Sequence, residues 1–129
     1  MALSGARYII VLEGINDIGF TLTPAAKIIA GYQHLIAAAH AAGLKIFGGT
    51  LTPFQGAGYY STAGEAEREA INHWIRTSGA FDSVIDFDQA VRDPAAPLRL
   101  LPAYDSGDHL HPNDAGYQAM ANAVNLAIF

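Results

Sequence analysis

Apolar residues fall along this chain in two rhythms. Short runs dense in apolar and β-branched residues alternate with longer stretches in which apolar positions recur every three or four residues. The first kind reads as a strand covered on both faces, the second as an amphipathic helix. On that basis Arg7–Glu13 is expected to form a strand, followed by a turn over Gly14-Ile-Asn-Asp-Ile-Gly19, whose Gly, Asn and Asp are turn formers. Thr23-Pro24 has the form of a helix cap followed by a first-turn proline, and Gly43 of a C-terminal stop. Ile28, Tyr32, Leu35, Ile36 and Ala39 mark the buried face between them.

Leu44–Leu51 is a second expected strand, whose glycines permit close helix approach or a bend. A Gly/Pro/aromatic loop, Thr52–Tyr60, leads to Thr62-Ala-Gly-Glu65, which matches a capping box. The helix it opens carries Ala66, Ala70, Ile71, Trp74 and Ile75 on one face and stops at Gly79. Val84–Phe87 is a short third strand, Asp88–Pro102 an irregular stretch with three prolines, and Asn113 the cap of a last helix. That helix runs to about Ile128, with Tyr117, Met120, Ala121 and Val124 inward. The order β-α-β-α-β-loop-α implies an α/β fold with a parallel sheet and right-handed crossovers. A single domain of 129 residues is expected, with a core sized to its 51% hydrophobic content.

Charge and composition narrow the function classes. Twelve acidic against seven basic residues give a net charge of −5 without a basic cluster, which disfavours nucleic acid and anionic membrane as partners. The absence of cysteine removes disulfides, thiolate catalysis and Cys-based metal sites. The first residues lack the charged-then-apolar layout of a signal peptide, so compartment is left open. The chain opens almost directly on a strand with one unpaired edge, the expectation for the C-terminal portion of a larger domain.

Candidate chemistry lies in two segments expected at the C-terminal rim of the sheet, where open α/β folds bind ligands. Asp108 and His111 stand three residues apart in Tyr104–Ala115, and a carboxylate there can hold Nδ1–H and turn Nε2 outward as a base. The same loop also fits a plain Asx turn before a helix, or a metal site built from Asp105, Asp108, His109 and His111. Asn16 can donate its side-chain NH2 to an oxygen becoming negative, with Gly14 allowing a tight turn and Asp17 bracing the loop backbone. Taken by itself, Gly-Ile-Asn-Asp reads first as an ordinary turn after a strand. His34, His40 and His73 read as surface residues, Trp74 as core, and Asp86 as structural.

Together, Gly-x-Asn-Asp after the first strand and Asp-x-x-His-Pro-Asn-x-x-Gly before the last helix resemble the SGNH (GDSL-type) hydrolase superfamily. The resemblance spans the chain, and Gly48–Pro53 is also similar to bacterial lipase/acylhydrolase members. It implies a three-layer α/β/α flavodoxin-like architecture, here incomplete as β-α-β-α-β-α. It also implies hydrolysis of carboxylic esters through an acyl-serine, without metal or other cofactor. By resemblance His111 is the base, Asp108 its orienter, Asn16 an oxyanion donor, and Gly14 and Asp17 belong to the same loop. Small acyl or acetyl esters are the implied substrates, and members are often exported.

The family's serine-bearing first block and its second block are absent. None of the five serines, Ser4, Ser61, Ser78, Ser83 and Ser106, follows a strand in the tight turn that exposes a nucleophile. The expectation is an ester hydrolase that is weak or inactive alone. The unpaired edge of strand 7–13 would then take a complementing N-terminal segment or another copy. The rival is a non-catalytic binding module on the same scaffold.

Overall fold

The computed structural model describes residues 5–129. Its main sheet has three parallel strands, β1 (Tyr8–Val11), β2 (Lys45–Gly49) and β3 (Ser83–Ile85), in the order β1-β2-β3. The register sets Tyr8 beside Lys45 and Phe47 beside Ser83. On one face lie α1 (Ile15–Thr21), α2 (Ala25–Ala41) and α3 (Thr62–Thr77). On the other lie α4 (Phe87–Val91), the hairpin β4–β5 (Arg92–Asp93, Ala96–Leu100) and α5 (Asp114–Asn122). Two cores follow from the strand alternation. Ile46 and Val11 join Ile18, Tyr32, Ile36, Ile71 and Phe81 on the first face. Phe47 and Ile85 join Phe87, Val91, Leu100 and Met120 on the second.

The β2 glycines allow the close approach expected of them. Gly48 meets the Phe81 ring on one face and Gly49 the Phe87 ring on the other, with no room for a Cβ at either. Gly43 ends α2 at φ +72°, as a C-terminal stop should.

Several expectations change. Residues 14–19 are a helix start, not a turn: Gly14, at φ +121°, redirects the chain out of β1, and Ile15 and Ile18 pack inward. The expected strand 7–13 is paired only over Tyr8–Val11 and is not covered on both faces; Ile10 is 45% exposed because no described element lies over it. The cap of α3 is Ser61, whose Oγ accepts from the Gly64 N–H at 2.9 Å, so Thr62–Glu65 is not the capping box. That helix buries Glu65, Arg68 and Asn72 instead of Ala66 and Ala70, because ion pairs and amide bonds satisfy them there. Residues 88–102 are ordered as α4 and a hairpin rather than irregular, with the prolines at exposed turn and edge positions. Leu35, Tyr117 and Ala121 likewise face outward, and α5 ends at Asn122, before a 3₁₀ turn over Leu126–Ile128.

The buried charges have a structural task. Arg68 donates to Glu65, to Asp88 at 2.8 Å and to the Leu51 carbonyl at 2.9 Å. Asn72 brackets the same residue, accepting from Leu51 N–H at 2.7 Å and donating to its carbonyl at 2.8 Å. Arg76 ties Asp86 to Asp88 at the end of β3. The loop leaving β2 is thereby clamped to α3, which fixes where Thr52 and Tyr59 stand.

Candidate active site

The loop between the hairpin and α5 is held by its own carboxylates. Asp105 accepts the N–H groups of Gly107 and His109 and faces Nδ1 of His109 at 2.6 Å. Asp108 accepts the N–H groups of Leu110 and His111 and the Ser106 hydroxyl, and faces Nδ1 of His111 at 2.6 Å. The four residues considered as a metal cluster thus divide into two separate Asp–His pairs. Among the described residues no group of three or more His, Asp or Glu side chains is placed to hold a metal ion.

His111 and the N–H groups of His111 and Leu110 hold the Asp108 carboxyl far below the ordinary carboxylate range, so it stays ionised beside the imidazole. Asp105 is also held low: partial burial pushes it up, and the Gly107 N–H and His109 outweigh that. With Nδ1 of His111 directed at a carboxylate, Nε2 points away and is available to take a proton. The imidazole is 64% exposed and, among the described residues, no other hydrogen bond engages it.

Asn113 secures this loop to α5. Its Oδ1 accepts from Gly116 N–H at 3.0 Å and its NH2 donates to the carbonyls of Ala103 and Asp105. Gly116 is required at that point, because a Cβ would stand 2.7 Å from both Pro112 and the Tyr104 carbonyl. Pro112, Asn113 and Gly116 of the sequence motif are therefore one joint.

Asn16 is in the first turn of α1, beside the end of β1. Asn16 and His111, ninety-five positions apart, line one cleft of about 250 Å³ together with Gly14, Leu51, Thr52 and Tyr117. Apolar side chains, including Leu12, Leu110 and Met120, form much of its wall. Asp17 is not in this cleft. It faces the neighbouring groove between α1 and α2, and it contributes its carbonyl, not its carboxylate, to bracing the chain by accepting from Thr21 and Thr23.

None of the four described serines lines the cleft. Ser61 caps α3, Ser78 accepts from Ala80 N–H, Ser83 is in β3, and Ser106 donates to Asp108 on the side of the dyad away from Nε2. Ser4 lies outside the described residues. Sequence reasoning missed Tyr59, whose hydroxyl donates to Asn16 Oδ1 at 3.0 Å. The signal available was an aromatic in the loop after the second strand, which does not by itself say which residue it meets.

The model of GDSL-like lipase/acylhydrolase proteins matches residues 2–119. The chain belongs to that family. Two solved members of the fold carry the same architecture, a candidate acylhydrolase from Bacteroides fragilis and a GDSL-like lipase from Bacteroides thetaiotaomicron. Each superposes with a TM-score of 0.78 over 95% of this chain, at 20% and 18% identity. The chain spans about three-fifths of their length, 61% and 62%. Comparison with curated proteins gives no match. The fold is the α/β/α arrangement that the GDSL-like family resemblance implied.

Proposed function

We propose that this chain carries the base, the orienting acid and one oxyanion donor of a carboxylic ester hydrolase, with the nucleophilic serine supplied from outside residues 1–129. The observation that supports this most directly is the 2.6 Å pair of His111 Nδ1 and Asp108 on a loop whose imidazole lines the same cleft as Asn16. In the reading, His111 Nε2 takes the serine proton as Oγ bonds to the ester carbonyl carbon. The imidazolium then returns the proton to the departing alcohol as the acyl C–O bond breaks. Water repeats the cycle and frees the acid. Asn16 donates to the carbonyl oxygen while it is negative, an interaction of a kind that contributes roughly 10²–10³ in turnover. The orientation of His111 by the ionised Asp108 needs no metal.

In this reading a serine-bearing segment adds to the free edge of β1. Arg7 accepts from Lys45 N–H, so Arg7, Ile9 and Val11 bond to β2 and Tyr8, Ile10 and Leu12 aim their N–H and C=O groups outward. A parallel strand added there would end beside Gly14 and the cleft. The rival reading, a binding module without turnover, draws on the lack of a serine in the cleft.

A fluorophosphonate probe with mass identification of the modified residue separates these. No serine of residues 1–129 is expected to react. Labelling and ester turnover are expected when an N-terminal serine-bearing segment is supplied, by fusion or as a second chain. A labelled serine within this chain sinks the incomplete-site reading, and failure of every complemented form to turn over esters favours the binding module.

A further inference from the structure

Tyr59 lies outside both motifs and outside the cleft wall, yet three contacts tie it to α1, the helix that carries Asn16. Its ring lies over Gly19, at a place where any Cβ would overlap it. It stacks on Phe20 at a centroid distance of 5.1 Å, with an interplanar angle of 18°. Its hydroxyl donates to Asn16 Oδ1 at 3.0 Å. Gly19, Phe20 and Asn16 all belong to α1, so the loop residue closes over one helix.

The consequence concerns which end of the amide faces the cleft. An asparagine side chain presents an acceptor or two donors depending on a half-turn about one bond. Asn16 has no other side-chain hydrogen bond among the described residues, so nothing else selects between the two. In the observed bond the phenol donates to Oδ1, which directs Nδ2 away from Tyr59. Partial burial and the negative charge of Asp108 both keep the Tyr59 phenol protonated, so it retains the proton that it donates in this geometry. We infer that Tyr59 is a positioning residue that fixes the Asn16 amide with its NH2 toward the cleft. The inference rests on the ester-hydrolase reading for its purpose, though not for its geometry.

Two variants test it by different routes. Tyr59→Phe keeps the ring and removes the hydroxyl, whereas Gly19→Ala displaces the ring. In the chain as it stands, both are expected to shift the Asn16 side-chain Cγ and NH2 resonances, while the backbone signals of β2 and α5 stay in place. Asn16 side-chain signals unchanged in both variants would overturn the inference. In complemented, active protein, Tyr59→Phe should lower kcat roughly two- to tenfold with KM little changed, the scale of one neutral hydrogen bond. It should add nothing once Asn16 is alanine. An Asn16→Ala variant with undiminished turnover would remove the oxyanion role from the proposed function while leaving the clamp itself standing. An effect of Tyr59→Phe that persists undiminished in the Asn16→Ala background would instead overturn the clamp.

Discussion

Gly19 is the floor on which the Tyr59 ring lies, with the two in direct contact across the α1–loop junction. Helix propensity alone would reward alanine at this position by up to about 1 kcal/mol. Packing opposes it, since an overfilled contact typically costs about 1–3 kcal/mol. For Gly19→Ala the net change in stability is therefore expected to be small, about 0–2 kcal/mol of loss in urea unfolding. A stability loss accompanied by an unmoved Tyr59 ring spectrum would contradict this account.

Asp108 governs the acid side of the loop. Its carboxyl is depressed in the folded protein, so its contribution is present above the unfolded carboxylate value of about 3.9 and is lost as pH falls below that toward the folded value. Comparing Tm for wild type and Asp108→Asn from pH 7 down to pH 2 should show a gap that narrows below about pH 4. A gap independent of pH would mean that the charge plays no part.

The same substitution should expose the tautomer. Aspartate accepts the Nδ1 proton of His111 whereas an asparagine can present an NH2 to it, so ¹⁵N spectra of Asp108→Asn should show the Nδ1-protonated form losing population. In active, complemented protein the expected loss in kcat is on the order of 10²–10⁴, the scale seen when a catalytic histidine loses its orienting acid. Asp105→Asn, which touches His109 and not His111, should cost much less.

Arg68 is 3% exposed and is bonded to Glu65, Asp88 and the Leu51 carbonyl. Replacing it with methionine leaves the Glu65 carboxylate without its donor and removes one donor each from Asp88 and the Leu51 carbonyl. A destabilisation of about 3–5 kcal/mol is expected, the usual consequence of removing one side of a buried ion pair. Urea denaturation measures it, and a loss below 1 kcal/mol would show that Arg76 and Arg92 suffice for Asp88.

The outward-facing backbone of β1, with Ile10 exposed beside it, is expected to draw the isolated chain into association with itself. Light scattering should show mass rising with concentration, and Ile10→Lys should suppress the rise. A wild-type monomer at high concentration would count against this edge as an interface.

The alternation of β-branched runs with helical spacing made the layered fold legible, because strand alternation and helix period are local properties. Gly48 and Gly49 could be expected to lie against other elements, though not against Phe81 and Phe87 in particular. What stayed hidden depends on partners distant in sequence. The buried face of α3 is charged because Arg68 finds Asp88 and Leu51, and a hydrophobic pattern places Ala66 and Ala70 inside instead. Residues 14–19 read as a turn from sequence because Gly, Asn and Asp favour both turns and first turns of helices, and only the packing of Ile15 and Ile18 decides. Asp108 with His111 was visible because three residues suffice to bring them together, whereas Tyr59 with Asn16 spans forty-three.

The two carboxylates of residues 105–111 take up five N–H and O–H donors of their own loop besides the two imidazoles. That segment needs little from the core to keep its shape. His111 is therefore already oriented before any nucleophile arrives, and joining the two halves of the site would order no base loop. If the proposed complementation holds, assembly would resemble the docking of rigid bodies, with affinity set by the strand edge and rate of turnover set by alignment.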